Sequence, residues 1–143
     1  MNQTLVLLRT TRQLGRLYDR QLGPVAAAHS MTRMELDVLL FLANNPESDT
    51  ARDIVELRCI AKSYVSKAID ALYRRGLIAP HTDARDRRAV HLTLQPAAAG
   101  AVRAGRAAQE AFFRTVMRGV SEADAARLMT VLTQMLQNVQ EAN

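Results

Sequence analysis

The chain has 143 residues and a mass of 15.8 kDa, 48% hydrophobic and 23% charged with a formal net charge of +5, which is the balance of one globular domain around a single core and excludes a disordered or fibrous chain. No apolar run exceeds Val38–Ala43 and no basic start leads into a greasy stretch, so neither a membrane span nor a signal peptide is expected and the chain reads as a bacterial-style cytoplasmic protein. A single cysteine, Cys59, excludes an internal disulfide, and three scattered histidines, His29, His81 and His91, assemble no Cys/His zinc cluster, so no metal and no cofactor are expected.

Few aromatic residues, with abundant Leu, Ala, Val and Met, favour helices. The first is expected from about Leu5 to Leu22, where Leu7, Leu8, Leu14, Leu17 and Tyr18 alternate with Arg9, Arg12, Arg16 and Arg20. Gly23-Pro24 should break or bend it, with a short continuation to Ala28. Thr32-Arg33-Met34-Glu35 has capping-box spacing and opens a second helix carrying Leu36, Leu39, Leu40 and Ala43 on one face. Asn44-Asn45-Pro46 ends it. Thr50 and Asp53 repeat the cap signature before a third helix that closes around Arg58 to Ala61.

A fourth helix is expected from Lys62 to about Arg75. At 100° per residue it places Val65, Ala68, Ile69 and Leu72 on one side, with Ser63, Ser66, Lys67, Asp70 and Arg74 opposite. Gly76 is placed to end it. The period then changes. Leu77 and Ile78 lead to a charged turn, and Val90, Leu92 and Leu94 alternate with Ala89, His91 and Thr93, which predicts a β-hairpin with a basic tip. After Pro96 an alanine-rich helix runs to about Arg118, with Gly100 and Gly105 as weak points. Ser121 and Asp124 cap a last helix striped with Leu128, Val131, Leu132, Met135, Leu136 and Val139. A lone helix cannot bury that stripe, and a symmetric second subunit is its expected cover.

Charge concentrates in the middle of the chain. Arginines and acids balance from Met1 to Thr50, whereas Ala51 to Arg88 holds nine Lys or Arg against five acids, as a nucleic-acid surface on a neutral scaffold would. Helix, short helix, turn, basic helix and hairpin are the order of a winged helix-turn-helix, in which the second helix of the pair enters the DNA major groove.

The residues Lys62-Ser63-Tyr64-Val65-Ser66-Lys67, Arg75-Gly76-Leu77-Ile78 and Asp83-Ala84-Arg85-Asp86-Arg87-Arg88 resemble the MarR family of bacterial transcription regulators, whose Asp-x-Arg-Asp-x-Arg wing is its most specific signature. The resemblance implies a mainly α chain with a small β-hairpin wing: a DNA-binding lobe over 32–94 and dimerisation helices over 1–31 and 95–143, forming one domain. It implies that Ser63, Tyr64, Ser66 and Lys67 face the major groove, with Lys62, Arg74, Arg87 and Arg88 contributing to DNA contact, and that Arg85 probes the minor groove. Asp83 and Asp86, which would repel phosphates if unpaired, are expected to structure the wing as partners of Arg87 or Arg88. Ala61 departs from the usual Ser, Thr or Asp cap, so Ser63 is the alternative cap. Arg9, Arg12, Arg16, Tyr18, His29 and Met31 lie where such proteins take anionic aromatic effectors, although the polar face of a dimer helix would look the same.

Cys59 is expected to be a packed small residue rather than an oxidant sensor. His81 and His91 should lie opposite each other across the hairpin, but two histidines with no third ligand make a poor metal site. The chain lacks a Gly-rich phosphate loop, a nucleophile elbow and a His-Glu helix motif, so an enzyme is not expected. The sequence therefore reads as a dimeric regulator of double-stranded DNA with a pseudo-palindromic operator, a repressor released by a small ligand. The alternative is a winged-helix module for protein contacts.

Overall fold

The computed structural model describes residues 1–143. Its centre is α2 (Arg33–Asn44), the only helix buried nearly all round: Leu36, Val38, Leu39, Leu40, Phe41 and Leu42 are all shielded from solvent. That explains why the longest apolar run falls here, since a helix covered on every side loses its amphipathic alternation. The chain enters through the expected capping box, in which Thr32 Oγ1 accepts from the Glu35 amide at 3.1 Å and Glu35 Oε2 from the Thr32 amide at 3.4 Å. The same device starts α3 (Ala51–Arg58), where the Asp53 amide donates to Thr50 Oγ1 at 3.1 Å and the Thr50 amide to Asp53 Oδ2 at 3.1 Å.

One side of α2 packs Val38, Leu39, Phe41 and Leu42 against Ile54 of α3, Val65, Ala68 and Leu72 of α4 (Lys62–Arg74), and Ile78 and Leu92 of the hairpin. The hairpin pairs β1 (Ile78–Thr82) with β2 (Val90–Leu94) antiparallel, Ile78 opposite Leu94 and His81 opposite His91. Gly76, at φ +70°, ends α4 as expected. The other side of α2 sets Leu36 and Leu40 against Leu22 and Ala26 of α1 (Gln3–Ala28).

Expectations at Pro24, Ser63 and Cys59 are corrected, and one at Gly105 below. Helix α1 does not break at Gly23-Pro24 but runs unbroken to Ala28 with Pro24 inside it. Pro24 lacks one ladder donor, yet Leu22 and Ala26 on either side of it are buried in the same cluster, and that packing holds the helix together. Ser63 does not cap α4: the helix begins at Lys62, after Ala61, with no side-chain cap. Cys59 is not packed; it is exposed at the C-terminal cap of α3, at φ +53°, with its amide donating to the Val55 carbonyl, so the left-handed turn lifts the side chain out of the core.

Helix α5 (Ala99–Val116) follows a short 3-10 turn at Pro96–Ala98. Gly105 is not a weak point in it. A Cβ there would stand 2.7 Å from Leu40 Cδ2, and Leu40 is itself fully buried, so the glycine permits α5 to approach α2. Gly105→Val is expected to lower the unfolding free energy by about 1–3 kcal/mol through overpacking. Gly100→Ala, where the added carbon meets only His29 Cε1 at an ordinary 3.7 Å, should be neutral or stabilising by up to about 1 kcal/mol. Denaturant unfolding of the two variants checks the contrast.

The chain divides into compact units at Met1–Phe112 and Phe113–Asn143. The second contains α6 (Glu122–Ala142), capped by Ser121, whose Oγ accepts from the Asp124 amide at 3.1 Å, and no residue of α6 is buried. Leu132, Leu136 and Val139 are each about half exposed. No helix is long and apolar enough to cross a membrane.

Candidate nucleic-acid interface

Helix α4 separates its two faces cleanly. Val65, Ala68 and Leu72 are buried, Ser63, Ser66, Lys67, Asp70 and Arg74 are exposed on the opposite side, and Lys62 and Tyr64 are exposed on its flanks. A hydroxyl, a phenol and an ammonium on one rod supply donors and acceptors at the spacing a groove floor presents. The missing cap at Ala61 also acquires a meaning here: with no side-chain cap and no acid in the first turn, the positive end of the helix is left unneutralised, as suits an approaching phosphate.

The wing tip between the strands is built by its own aspartates. Asp83 Oδ1 accepts from the Arg85 amide at 2.8 Å, and Asp86 Oδ1 from the Arg88 amide at 3.0 Å. These are backbone contacts, so the expected pairing with the Arg87 or Arg88 guanidinium is replaced by two side-chain-closed turns. The Arg85 amide, then the nearby His91, hold the Asp83 carboxyl below its ordinary range and keep it an acceptor. With both acids spent on the backbone, the side chains of Arg85, Arg87 and Arg88 are exposed and unpaired. Three free guanidinium groups thus project from a short, self-braced turn.

At the base of the wing, β2 is joined by the loop before α3. The Leu92 amide donates to the Asp49 carbonyl at 2.9 Å, and Thr50 bridges to His91. His91 Nδ1 lies 2.5 Å from Asp49 Oδ1 and its Nε2 lies 3.5 Å from Asp83 Oδ2. The hydrogen bond to Asp49 raises the His91 pKa, assisted by the charges of Asp49 and Asp83. The His81 ring stacks on that of His91 at 5.3 Å between centroids. The two histidines therefore have a carboxylate neighbour that residue spacing does not reveal, supplied by Asp49 from 42 residues before His91.

The residues expected to hold an effector are not gathered into one place. Arg9 lines an open surface cavity of about 360 Å³ with Leu14 and Leu17, whereas His29 lies twenty positions on, about 30 Å along the helix axis. Tyr18 is engaged within the fold: its hydroxyl accepts from Gln109 Nε2 at 2.8 Å, its ring meets Phe112 edge-on, and the Arg33 guanidinium covers it at 5.2 Å. Met31 is half-buried against the core. Arg75, by contrast, stands in a motif the sequence reading used but has a role that reading did not assign. Its Nη1 donates to the Ser30 carbonyl at 2.8 Å and its Nη2 to the His29 carbonyl at 2.9 Å, with Glu35 at 3.7 Å, fastening the end of α4 to the turn after α1. Its targets are backbone carbonyls, which leave no mark in residue identity.

Residues 29–89, from the start of that turn to the wing, match the sequence model of the MarR family. Comparison with curated proteins gives no significant match. Among solved structures the chain is similar to the transcriptional regulator PA3341, with 26% identity, a TM-score of 0.82 and coverage of 96% of this chain and 98% of that one. It is also similar to MepR of S. aureus in complex with DNA, with 19% identity, a TM-score of 0.75 and coverage of 96% of each chain. A third similar structure is BpsR of Bordetella bronchiseptica, whose DNA binding is described as regulated by 6-hydroxynicotinic acid, with 22% identity, a TM-score of 0.70 and coverage of 94% and 92%. Residues 29–89 carry the sequence pattern of the MarR family across helix-turn-helix and wing, and the whole chain has the winged helix-turn-helix fold of the transcriptional regulators it is similar to.

Proposed function

We propose that the protein is a dimeric, sequence-specific regulator of transcription that acts on double-stranded DNA in the cytoplasm. The observation that carries this is the exposed polar face of α4 in the same lobe as a wing whose three arginines are left unpaired. In this reading Ser63, Tyr64, Ser66 and Lys67 meet base edges and phosphates in the major groove, Lys62 and Arg74 meet the backbone, and Arg85 enters the minor groove. Helices within 1–31 and 95–143 join two copies, and the 32–94 lobes read the two halves of a pseudo-palindromic operator.

Selection of bound duplexes from a random pool is the test. An inverted repeat with half-sites about one helical turn apart is expected, and affinity should fall steeply with salt. Lys67→Ala should then cost about 1–3 kcal/mol at one operator position if the ammonium reads a guanine, or lower all affinities and the salt slope by about one if it holds a phosphate. Recovery of no sequence above the non-specific background would favour the other reading, a winged-helix module that binds protein.

The finer reading is a repressor released by a small anionic aromatic ligand. BpsR, with its hydroxynicotinic acid, lends it support as a relative of the same fold. Because Arg9 and His29 are a helix length apart, one ligand cannot touch both in a single chain; either Arg9, Arg12 and Arg16 or His29 and Met31 serve as its binding group.

A further inference from the structure

Asp49, His81 and His91 each offer a ligand atom, and these atoms all lie within 4.8 Å of one another. They come from three different segments: the loop before α3, β1 and β2. We propose that this cluster at the base of the wing is a binding site for a first-row transition dication, Zn²⁺ foremost.

The donor set suits such an ion. Two imidazoles and a carboxylate are borderline and hard ligands of the kind zinc takes, and three protein ligands leave a position for water. On a four-coordinate zinc with bonds of about 2.0–2.1 Å, ligand atoms stand roughly 3.3 Å apart, so the 2.5 Å Asp49–His91 pair opens by under an ångström to admit the ion while the wider separations, up to 4.8 Å, close. Each ligand is also steadied from behind. His91 Nδ1 faces Asp49 at 2.5 Å, so an ion bridging those two atoms displaces the proton they share and leaves Nε2–H to donate to Asp83 Oδ2, now at 3.5 Å. A carboxylate behind a metal-bound imidazole fixes the tautomer and raises ligand basicity. The Thr93 hydroxyl lies 2.8 Å from His81 Nδ1 and orients that ring. His81 is exposed, and Asp49 and His91 are about one quarter exposed, so the ion has a path in from solvent. The Leu92 amide on the Asp49 carbonyl already fixes the loop to β2, so little chain order has to be created on binding. An ion held here ties the wing to the segment that leads into the helix-turn-helix.

The test uses the untagged full-length protein, stripped with a chelator and titrated with Zn²⁺ by calorimetry and with Co²⁺ by visible absorption. One ion per chain and ligand-field bands of a nitrogen- and oxygen-ligated Co²⁺ are expected. His81→Ala, an exposed change that spares the core, should weaken binding at least tenfold, and Asp49→Asn should do the same. His29→Ala, which removes the only histidine outside the cluster, should bind as the parent does. Absence of binding at a hundred micromolar Zn²⁺, or a His81→Ala protein that binds as tightly as the parent, overturns the proposal whatever the protein's affinity for DNA. Circular dichroism of each variant confirms that a loss of binding is not a loss of fold.

Discussion

Leu132→Glu and Leu136→Glu are each expected to convert a dimer into a folded monomer at micromolar concentration. In the single chain both side chains are about half exposed, so a glutamate there is tolerated by the isolated subunit. Across a two-fold interface the same change buries one unpaired carboxylate from each copy, at a cost of several kcal/mol. Sedimentation velocity of parent and variants decides the matter. DNA affinity should fall in parallel, because a monomer engages one half-site alone. A parent protein that sediments as a monomer removes the dimer from the proposed function.

Replacing Arg85, Arg87 and Arg88 together by alanine should lower DNA affinity by about a hundredfold for each wing on the duplex near 0.15 M salt. The figure follows from counterion release: each phosphate-neutralising cation contributes a slope of about 0.9 in log affinity against log salt, so three contribute a factor of order 10² at that concentration. The variant should fold normally, since Asp83 and Asp86 brace the tip through backbone amides that the substitutions leave in place. Anisotropy titrations at two salt concentrations should show the slope reduced by two to three for each wing engaged, about five for a dimer. An unchanged slope would place the wing away from the duplex.

Much of this architecture was legible in the sequence because it is local. Thr32 with Glu35 and Thr50 with Asp53 mark helix starts within four residues, Gly76 marks a stop, and the alternation from Ala89 to Leu94 marks a strand. The two faces of α4 also follow from periodicity alone. What sequence could not show depends on separation in space. Pro24 is a helix breaker by propensity, and only the packing of Leu22 and Ala26 on Leu36 and Leu40 overrules it. Gly105 reads as a defect until Leu40, far off in sequence, is found against it. The wing aspartates were expected to pair with Arg87 or Arg88, but their partners are backbone amides rather than guanidinium groups. Asp49 and Arg75 were missed for the same reason, because each acts on atoms more than forty positions away.

Arg75 gives α4, the proposed recognition helix, a pinned heel. At thirteen residues α4 is about 20 Å long, and its C-terminal end is fastened to the carbonyls of His29 and Ser30 while Ser63, Ser66 and Lys67 sit toward the other end, which Val65 seats in the core. A tilt of about 5° at the pin moves the far end by roughly 2 Å over that length, more than half the 3.4 Å step between base pairs. A planar fork with two parallel donors resists such a tilt in a way a single ammonium would not. The turn at His29 and Ser30 is therefore where a small displacement is magnified most before it reaches the DNA.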